Sequence, residues 1–419
     1  MDQGERVVPS GHLPDWIGLG VLAAAVPRDA IEEALAAHWR GVKRRGGKLP
    51  PHVMVYFAMG MALYADADYE EIITELSDGL DRLGCWDADW EVPGSGAITR
   101  ARQRLGDAVL ADVFDAVAQP VAELLTPGAF LGGWRLMAVD GFEWDAPDTP
   151  ANADAFGYAG GSQHPSAFPK VRVVTLSEVG SHAKTGATIG PVTGAGSGEQ
   201  ALARTLCPRL EEDQLLLADR NFYSFTDWCQ AADTGAELLW RITDTVRLPV
   251  LDTFDDGSYL SVVFDSSVRG AAREHLLRAA QSGEALPPEQ ARYVRVVEYD
   301  VPDRGEEQGR EPVCLLTTTT DPGRAAAPLL AQAYHQRWEH ELANKEIKQV
   351  LRGPARILRS KSPQMVRQEI YGYLLAHYAL SDLRCRAATE AGIDPDRIKF
   401  TRTVRIVRRS VTDAAAFSP

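Results

Sequence analysis

The sequence lacks long apolar runs and is poor in cysteine. No apolar run reaches the roughly eighteen residues that a membrane-spanning helix requires, and no secretory leader pattern opens the chain. The five cysteines are scattered and include no Cys-x-x-Cys pair, which argues against a disulfide framework or a zinc site. The nine histidines form no cluster along the chain. These absences predict a soluble cytoplasmic protein, and 419 residues are enough for two or three domains.

The charge of the chain is unevenly distributed. The formal net charge is −14, whereas simple nucleic-acid-binding proteins are usually basic. From Tyr334 to Arg409, however, there are sixteen Lys and Arg against eight Asp and Glu, a balance of +8 that leaves −22 for the rest of the chain. This distribution favours a protein that engages DNA with one side.

Residues 1–126 are predicted to form an all-helical N-terminal domain. Apolar residues recur at helical spacing in the segments 15–25, 29–39, 51–64 and 68–83. A turn rich in proline and glycine then precedes a short helix that carries Arg100, Arg102 and Arg104. This arrangement resembles a helix-turn-helix DNA reader, in which Arg100 and Arg104 are candidate DNA contacts. The alternative is an exposed basic helix without a partner. An earlier loop is also basic, with Arg40, Lys43, Arg44, Arg45 and Lys48.

Residues 127–242 and 321–390 are predicted to form an α/β domain around a mixed sheet. Apolar strand patterns cover the segments 134–139, 171–176, 185–192, 214–218 and 237–242. Helical patterns cover 199–210, 225–232, 328–352 and 363–388. Strands that alternate with helices in this way indicate an α/β core. A β-rich insertion is predicted at 243–320, from strand patterns at 246–251, 259–264, 293–299 and 313–319, and a basic C-terminal tail at 391–419.

Two aspartates stand at the ends of apolar strands in this core. Asp140 and Asp219 each come where the apolar run stops, and open α/β sheets bind ligands at strand ends. An aspartate in that position can equally form a turn or cap the following helix. Together with an acid on the long helix, the two aspartates predict a carboxylate site. Three converging carboxylates require a counter-charge, which Mg²⁺ or Mn²⁺ supplies.

The long helix carries an unusual stripe of side chains. At about 100° per residue, four of them fall within an arc of about 60°, namely Tyr334, Arg337, Glu341 and Lys348. Lys345 lies just beside this arc. One acid among cations and a phenol suits a surface that holds a metal ligand and grips phosphates around it. The alternative is a solvated face with i,i+4 ion pairs such as Arg337 with Glu341.

These motifs resemble those of the DDE transposases of bacterial insertion sequences. The YREK signature of the insertion-sequence-four-like branch is matched in residue type and spacing by Tyr334, Arg337, Glu341 and Lys348. The run LMAVDG at 136–141 resembles the first aspartate block of the family, and LLLADRNF at 215–222 resembles the second. Phe142 departs from the pattern, because a small hydroxyl residue commonly follows Asp-Gly.

The resemblance implies a ribonuclease-H-like core in which Asp140, Asp219 and Glu341 are both the catalytic and the metal-binding residues. Mg²⁺ would be the cofactor, and Mn²⁺ would substitute for it. The implied DNA-binding residues are Tyr334, Arg337, Trp338, Lys345, Lys348 and Arg352, besides Arg100 and Arg104. Trp240 is a second candidate for stacking on a flipped base, with core packing as the alternative. The nearby cations Arg356, Arg359 and Lys361 would follow the DNA backbone.

The implied reaction is cut-and-paste transposition at the ends of an insertion sequence. Water would attack a phosphodiester at the element's end, and the freed 3′-OH would then attack the opposite strand or target DNA. The implied partners are double-stranded DNA and a second copy of the chain, without a membrane. Two alternatives remain open: a catalytically silent DNA-binding regulator, and a ribonuclease-H-like nuclease without strand transfer.

Overall fold

The computed structural model describes residues 20–38, 49–81, 91–160, 164–243, 246–300, 312–354 and 356–410. The predicted basic loop between residues 40 and 48 lies outside these ranges. Within them, no helix is both long and apolar enough to cross a membrane.

Helices make up the described part of the N-terminal region, as the sequence predicts. They are α1 (Gly20–Ala25), α2 (Arg28–His38), α3 (Pro51–Leu63), α4 (Tyr69–Asp81), α5 (Ser95–Leu105) and α6 (Ala108–Val117). All residues of α3 after Pro51 are buried. A helix that is apolar all round belongs in the interior, and α3 accordingly lies at the centre of this bundle.

The strands form one mixed sheet, which confirms the predicted fold class. They are β1 (Phe130–Leu131), β2 (Trp134–Asp145), β3 (Lys170–Glu178), β4 (Lys184–Pro191), β5 (Gln214–Ala218), β6 (Glu237–Ile242), β7 (Asp252–Thr253), β8 (Tyr259–Phe264), β9 (Ala291–Asp300) and β10 (Pro312–Thr317). Their order is β4-β3-β2-β5-β6-β10-β9-β8-β7, with β1 paired to β2. β5 runs parallel to both β2 and β6, and β3 and β4 are antiparallel additions.

The β-rich insertion continues this sheet. β10 pairs antiparallel with β6, and β9, β8 and β7 follow in turn. The strand predicted at 246–251 is wrong, since the described residues there form a strand only at Asp252–Thr253. The helices among these strands are α7 (Pro150–Phe156), α8 (Glu199–Arg204), α9 (Phe225–Ala232) and α10 (Gly270–Gln281).

The single long helix predicted at 328–352 is wrong. The segment forms α11 (Ala327–His335), α12 (Arg337–Lys345) and a π-helix (Glu346–Leu351). At the break, the N–H of Glu339 donates to the carbonyl of Gln336 at 3.0 Å, a tighter turn than an α-helix makes. The predicted arc of Tyr334, Arg337, Glu341 and Lys348 assumed a straight helix, so its angles hold only within each of the three segments.

Two C-terminal helices tie the bundle to the sheet. They are α13 (Pro363–Ala391) and α14 (Phe400–Ser410). α13 packs against α3, and one apolar core joins α3 and α13 to Phe142 and Trp144 of β2. The Tyr64 hydroxyl, just after α3, donates to the carbonyl of Arg408 in α14 at 3.1 Å. The helical region and the sheet region thus share one interior.

The close contact between α3 and α13 depends on Gly372. A Cβ atom at this position would lie 2.3 Å from the carbonyl oxygen of Ala58. Gly372→Ala is therefore expected to destabilise the protein by about 1–3 kcal/mol. Helix propensity alone would give the opposite sign, a gain of about 1 kcal/mol. Urea unfolding measures the difference, with Gly133→Ala as the control because nothing lies within 4 Å of a Cβ built there.

A Gly372→Ala protein as stable as the wild type would show that the two helices can separate without loss, and would contradict this packing.

Candidate active site

Asp140 lies within a strand, which corrects the prediction that it ends one. β2 continues past it to Asp145, because Phe142 and Trp144 are buried against α13 and the helical bundle. What ends near Asp140 is the pairing with β5, whose last partners are Ala138 and Leu217. Beyond that point β2 pairs only with β3, where Thr175 is opposite Asp140.

Asp219 directly follows β5 and caps a short 3-10 helix, Arg220–Phe222. Its Oδ1 atom accepts a hydrogen bond from the N–H of Arg220 at 2.6 Å. Asp219 therefore does cap a helix, as the sequence allowed. This hydrogen bond fixes its carboxylate at the edge of the sheet. Asp140 and Asp219 each come two residues after the last paired residues, Ala138 and Leu217, and neighbouring strands lie about 4.8 Å apart.

Glu341 comes to the same edge on α12, which packs on β2. Its Oε1 accepts a hydrogen bond from Nη2 of Arg337 at 3.1 Å. Burial lowers the pKa of Arg337, but the charges of Tyr334, Asp219 and Glu341 raise it overall. Asn344, one turn further along α12, donates from Nδ2 to Oδ2 of Asp140 at 3.4 Å. Arg337 thus lies near all three acids, and Asn344 of the same helix contacts Asp140.

The surroundings of Asp140 disfavour its charged form. Burial raises the pKa of Asp140, and the nearby Glu341 raises it further, against the N–H of Gly141 and the cations Arg337 and Lys184. Carboxylate oxygens are hard donors that suit Mg²⁺ or Mn²⁺. Among the described residues, the oxygens of the three acids do not all come within 4.8 Å of one another, and Glu341 is turned towards Arg337.

Glu199 is a fourth acid at this edge, and the sequence reading missed it. A Cβ atom built on Gly141, next to Asp140, would lie 2.7 Å from Oε1 of Glu199, so the two residues are in close contact. Burial raises the pKa of Glu199, and the charge of Asp140 raises it too. Its Oε2 accepts a hydrogen bond from Nδ2 of Asn221 at 2.8 Å. No local motif marks Glu199, because α8 brings it to the site from a distant part of the chain.

Lys184 is a buried cation behind the site, and it was also missed. Its Nζ donates to Oδ1 of Asn344 at 2.7 Å and to Oγ1 of Thr175 at 3.3 Å. Burial lowers the pKa of Lys184 to about 7, although the charges of Asp140 and Glu346 oppose the shift. Because Asn344 also contacts Asp140, its side-chain amide connects Lys184 to that carboxylate.

The predicted DNA-binding residues on α11 and α12 differ in exposure. Trp338 is 55% exposed and Lys345 is exposed, while Lys348 is half-buried in the π-helix. Tyr334 is buried, and its hydroxyl donates to the carbonyl of Ala218 at 3.5 Å, immediately before Asp219. Trp240 is buried and packs edge-on against Trp228, with ring centroids 5.4 Å apart. Trp240 is therefore a core-packing residue, the alternative to stacking on a base.

The basic stretch after the π-helix contacts the protein's own chain. Arg352 is 7% exposed, with its guanidinium 5.3 Å from the Trp144 ring centre. Arg356 forms an ion pair with Asp66. Arg359 donates to the carbonyl of Ala67 at 2.9 Å. The sequence showed their charge but not their partners, since those lie far away along the chain.

The three arginines of α5 divide into two kinds. Arg100 and Arg104 are exposed. Arg102 is fully buried and donates to Oε1 of Gln368 in α13 at 2.8 Å and to Oγ of Ser360 at 3.2 Å. Arg102 therefore fixes α5 to α13, and only the other two present charge to solvent.

Two histidines meet in space at Glu346, contrary to the prediction that the histidines form no cluster. His182 and His377 both contact Oε2 of Glu346 at 3.2 Å, and Arg384 donates to Oε1 of Glu346 at 2.7 Å. Burial lowers the pKa of His182, but Glu346 and hydrogen bonds to Asp396 and Glu339 raise it to about 10. The π-helix carries Glu346 into this cluster behind α12.

Comparisons with known proteins define the class. The model of the transposase DDE domain matches residues 133–379, and that of the insertion element 4 transposase N-terminal region matches residues 16–115. The first covers more than half of the 419 residues, so the chain belongs to the DDE transposase family. It is accordingly a DNA transposase, an enzyme that cleaves DNA and transfers strands with the help of divalent metal ions, on a ribonuclease-H-like fold.

The chain is also similar to individual proteins. The chain is 29% identical over 383 residues to transposase InsG for insertion sequence element IS4 of Escherichia coli (strain K12), covering 90% of this chain and 80% of InsG. InsZ of the same strain is 26% identical over 205 residues, 49% of this chain and 64% of InsZ. Among solved structures, a piggyBac transposase synaptic complex with hairpin DNA aligns with a TM-score of 0.47 at 10% identity, covering 95% of this chain and 80% of that one.

Proposed function

We propose that Asp140, Asp219 and Glu341 hold Mg²⁺ and carry out the DNA chemistry of this transposase. The observation that carries the proposal is the register of β2 and β5, in which the two aspartates follow the last paired residues by two positions at one edge of the sheet. α12 brings Glu341 to that edge, and Arg337 faces both Glu341 and Asp219. When bound, Mg²⁺ supplies positive charge at the attacking and leaving oxygens of a phosphodiester.

The protein's own groups prepare this site for DNA. Arg337 is paired with Glu341 at 3.1 Å. If Glu341 held a metal ion, Arg337 would be available to a DNA phosphate. Asn344 and Lys184 hold Asp140 from behind. Tyr334 supports the backbone just before Asp219 from beneath the surface.

Around the three acids, the exposed Trp338 and Lys345 and the half-buried Lys348 form the proposed DNA surface. Trp338 stacks on a base, while Lys345 and Lys348 contact phosphates. The buried Arg352 acts from inside, by holding the π-helix against Trp144. The metal proposal is tested by Asp140→Asn and Asp219→Asn, each of which should abolish cleavage and preserve DNA binding. Cleavage at the wild-type rate by either variant would reject that residue as a ligand.

The transposase is proposed to act by cut-and-paste at insertion-sequence ends, as a homodimer that bridges two ends. Residues 1–126 are proposed as the domain that recognises these ends, 127–242 with 321–390 as the catalytic core, 243–320 as the insertion and 391–419 as a basic tail. A mixture of long and short end fragments tests the dimer on a native gel. A complex containing both lengths supports bridging, and complexes of single ends only contradict it.

The role of α5 in end binding gives a salt-dependent prediction. Arg100→Ala with Arg104→Ala is expected to weaken binding to the terminal repeat about tenfold at moderate salt. The slope of log affinity against log salt should fall by about 2, since each phosphate contact contributes about 0.9. Fluorescence anisotropy at several salt concentrations measures both quantities.

The control for α5 is Arg269→Ala with Arg278→Ala, which removes the same charge from two exposed positions at α10. An unchanged slope in the α5 variant, or an equal loss in the control, would contradict a specific role for α5.

A further inference from the structure

A second group of metal-ligand side chains lies behind α12, apart from the three acids. His182 comes from the turn between β3 and β4, Glu339 from α12, and Asp396 from a 3-10 helix, Pro395–Arg397. Nε2 of His182 lies 3.2 Å from Oε2 of Glu339 and 3.3 Å from Oδ1 of Asp396. One ligand atom from each residue lies within 4.8 Å of the other two. Three separate segments therefore direct donor atoms at one point.

The imidazole of His182 is held in a fixed orientation. The residue is 3% exposed, and its backbone has a φ of 63°, which non-glycine residues rarely adopt. Its Nδ1 atom contacts Oε2 of Glu346 at 3.2 Å. Glu346 is in turn fixed by Arg384 at 2.7 Å and by His377 at 3.2 Å. A carboxylate on the far nitrogen of a histidine is the usual support of a metal-bound imidazole.

The two distances from Nε2 of His182 also match the spacing of metal ligands. A single N–H at Nε2 faces two carboxylates, at 3.2 and 3.3 Å, whereas charge-assisted hydrogen bonds measure about 2.7–2.9 Å. Ligands around a tetrahedral ion with bonds of about 2.0–2.1 Å stand about 3.3 Å apart. The two measured separations match that spacing.

The charges also leave room for a divalent cation. Arg384 balances Glu346. The ion pairs that Glu339 and Asp396 make in the described part of the chain are both with His182. If His182 is protonated, its single positive charge and the two carboxylates sum to a net charge of −1. If His182 is neutral and a divalent ion is bound, the net charge is zero. The side chains of Glu339 and Asp396 are 22% and 40% exposed, so an ion can enter and keep water ligands.

We propose that His182, Glu339 and Asp396 bind a divalent transition-metal ion, with Zn²⁺ the best match. An imidazole with two carboxylates suits Zn²⁺, whereas Mg²⁺ prefers oxygen ligands alone. The site joins the β3–β4 turn, α12 and the segment after α13. Glu341 lies two residues beyond Glu339 on the same helix, so the ion braces the helix that carries it. The proposal does not depend on the metal-binding roles of Asp140 and Asp219.

The test is Zn²⁺ binding by the full chain, measured by calorimetry and by metal content after dialysis. The wild type is expected to retain one Zn²⁺ per chain. Asp396→Asn should lose this ion or bind it at least ~100-fold more weakly. Glu390→Gln is the matched control, because it removes one exposed carboxylate near the end of α13. It should bind Zn²⁺ like the wild type. Asp219→Asn, altered at the other site, should also retain this ion.

Thermal unfolding and a second variant complete the test. Zn²⁺ should raise the Tm of the wild type and of Glu390→Gln, but not that of Asp396→Asn. His182→Gln should lose the same ion, and if it does not fold, the exposed Asp396 decides the question. Equal Zn²⁺ binding by Asp396→Asn and the wild type would overturn the proposal. So would loss of all bound Zn²⁺ in Asp219→Asn, or the absence of Zn²⁺ binding in the wild type.

Discussion

Replacing Glu341 with glutamine is expected to slow DNA cleavage at the element's ends by about 10³-fold, or about 4 kcal/mol in the barrier. Glutamine keeps the volume of the side chain but removes the charge that a metal ion requires beside Asp140 and Asp219. DNA affinity should stay within about threefold, because Arg337, Lys345 and Trp338 remain in place. Single-turnover cleavage and anisotropy of the same end fragment measure the two effects.

Glu339→Gln is the comparison for Glu341, since it makes the same change two residues earlier on α12. Its carboxylate faces His182 and not the aspartates, so this variant should keep most of the cleavage activity. If Glu341→Gln cleaved DNA and Glu339→Gln did not, the third metal-binding acid would be Glu339. Loss of DNA binding along with cleavage in Glu341→Gln would point to misfolding and not to catalysis.

Glu346→Ala is expected to cost about 3–5 kcal/mol of unfolding free energy at pH 7. Glu346 is buried and contacts Arg384, His182 and His377. Its removal leaves Arg384, which is 2% exposed, without its carboxylate. Burial raises the pKa of Glu346, but His182, His377 and Arg384 hold it well below the usual 4.5.

The pH dependence of the Glu346→Ala loss follows from that lowered pKa. A carboxyl whose pKa is lower in the folded state contributes its full stability above the unfolded-state value of 4.5 and loses it as the pH falls further. The difference between wild type and variant should therefore shrink below about pH 4.5. It should also shrink above about pH 6.5, because Glu346 helps raise the pKa of His182 from 6.5 to about 10, and that contribution is lost as His182 loses its proton. Urea midpoints across this range measure it.

The control for this cluster is Glu390→Ala at an exposed position of α13, expected to change stability by about 0.5 kcal/mol or less. A Glu346→Ala protein as stable as the wild type would contradict the view that the cluster holds the π-helix in place.

Much of the sheet could be predicted because its central strands are short apolar runs bounded by polar residues. β5 and β6 have the predicted ends, Gln214–Ala218 and Glu237–Ile242. Asp219 was placed correctly after β5 for the same reason. The end of β2 was misplaced, since its second half alternates buried and polar residues, with Phe142 and Trp144 facing helices that are distant in sequence.

The interruptions of the long helix could not be read from the sequence. No proline or glycine stands between Ala333 and Leu351. The π-helix instead brings Glu346 to partners that are 31, 38 and 164 residues away. The burial of some cations could not be predicted either. The sequence shows that Arg102 is charged, but not that it contacts the distant Gln368. Glu199 and Lys184 reach the active site only through the topology of the sheet.

The measurement that tests the central claim most directly is cleavage of a DNA duplex carrying the repeats that flank the gene. Wild-type protein is incubated with Mg²⁺, with Mn²⁺ or with EDTA, and the ends of the products are mapped. Cuts at the repeat boundary that leave 3′-OH ends are expected in the presence of either metal ion and not in EDTA. Cleavage in EDTA, or binding without cleavage in both metal ions, would contradict a metal-dependent site at Asp140, Asp219 and Glu341.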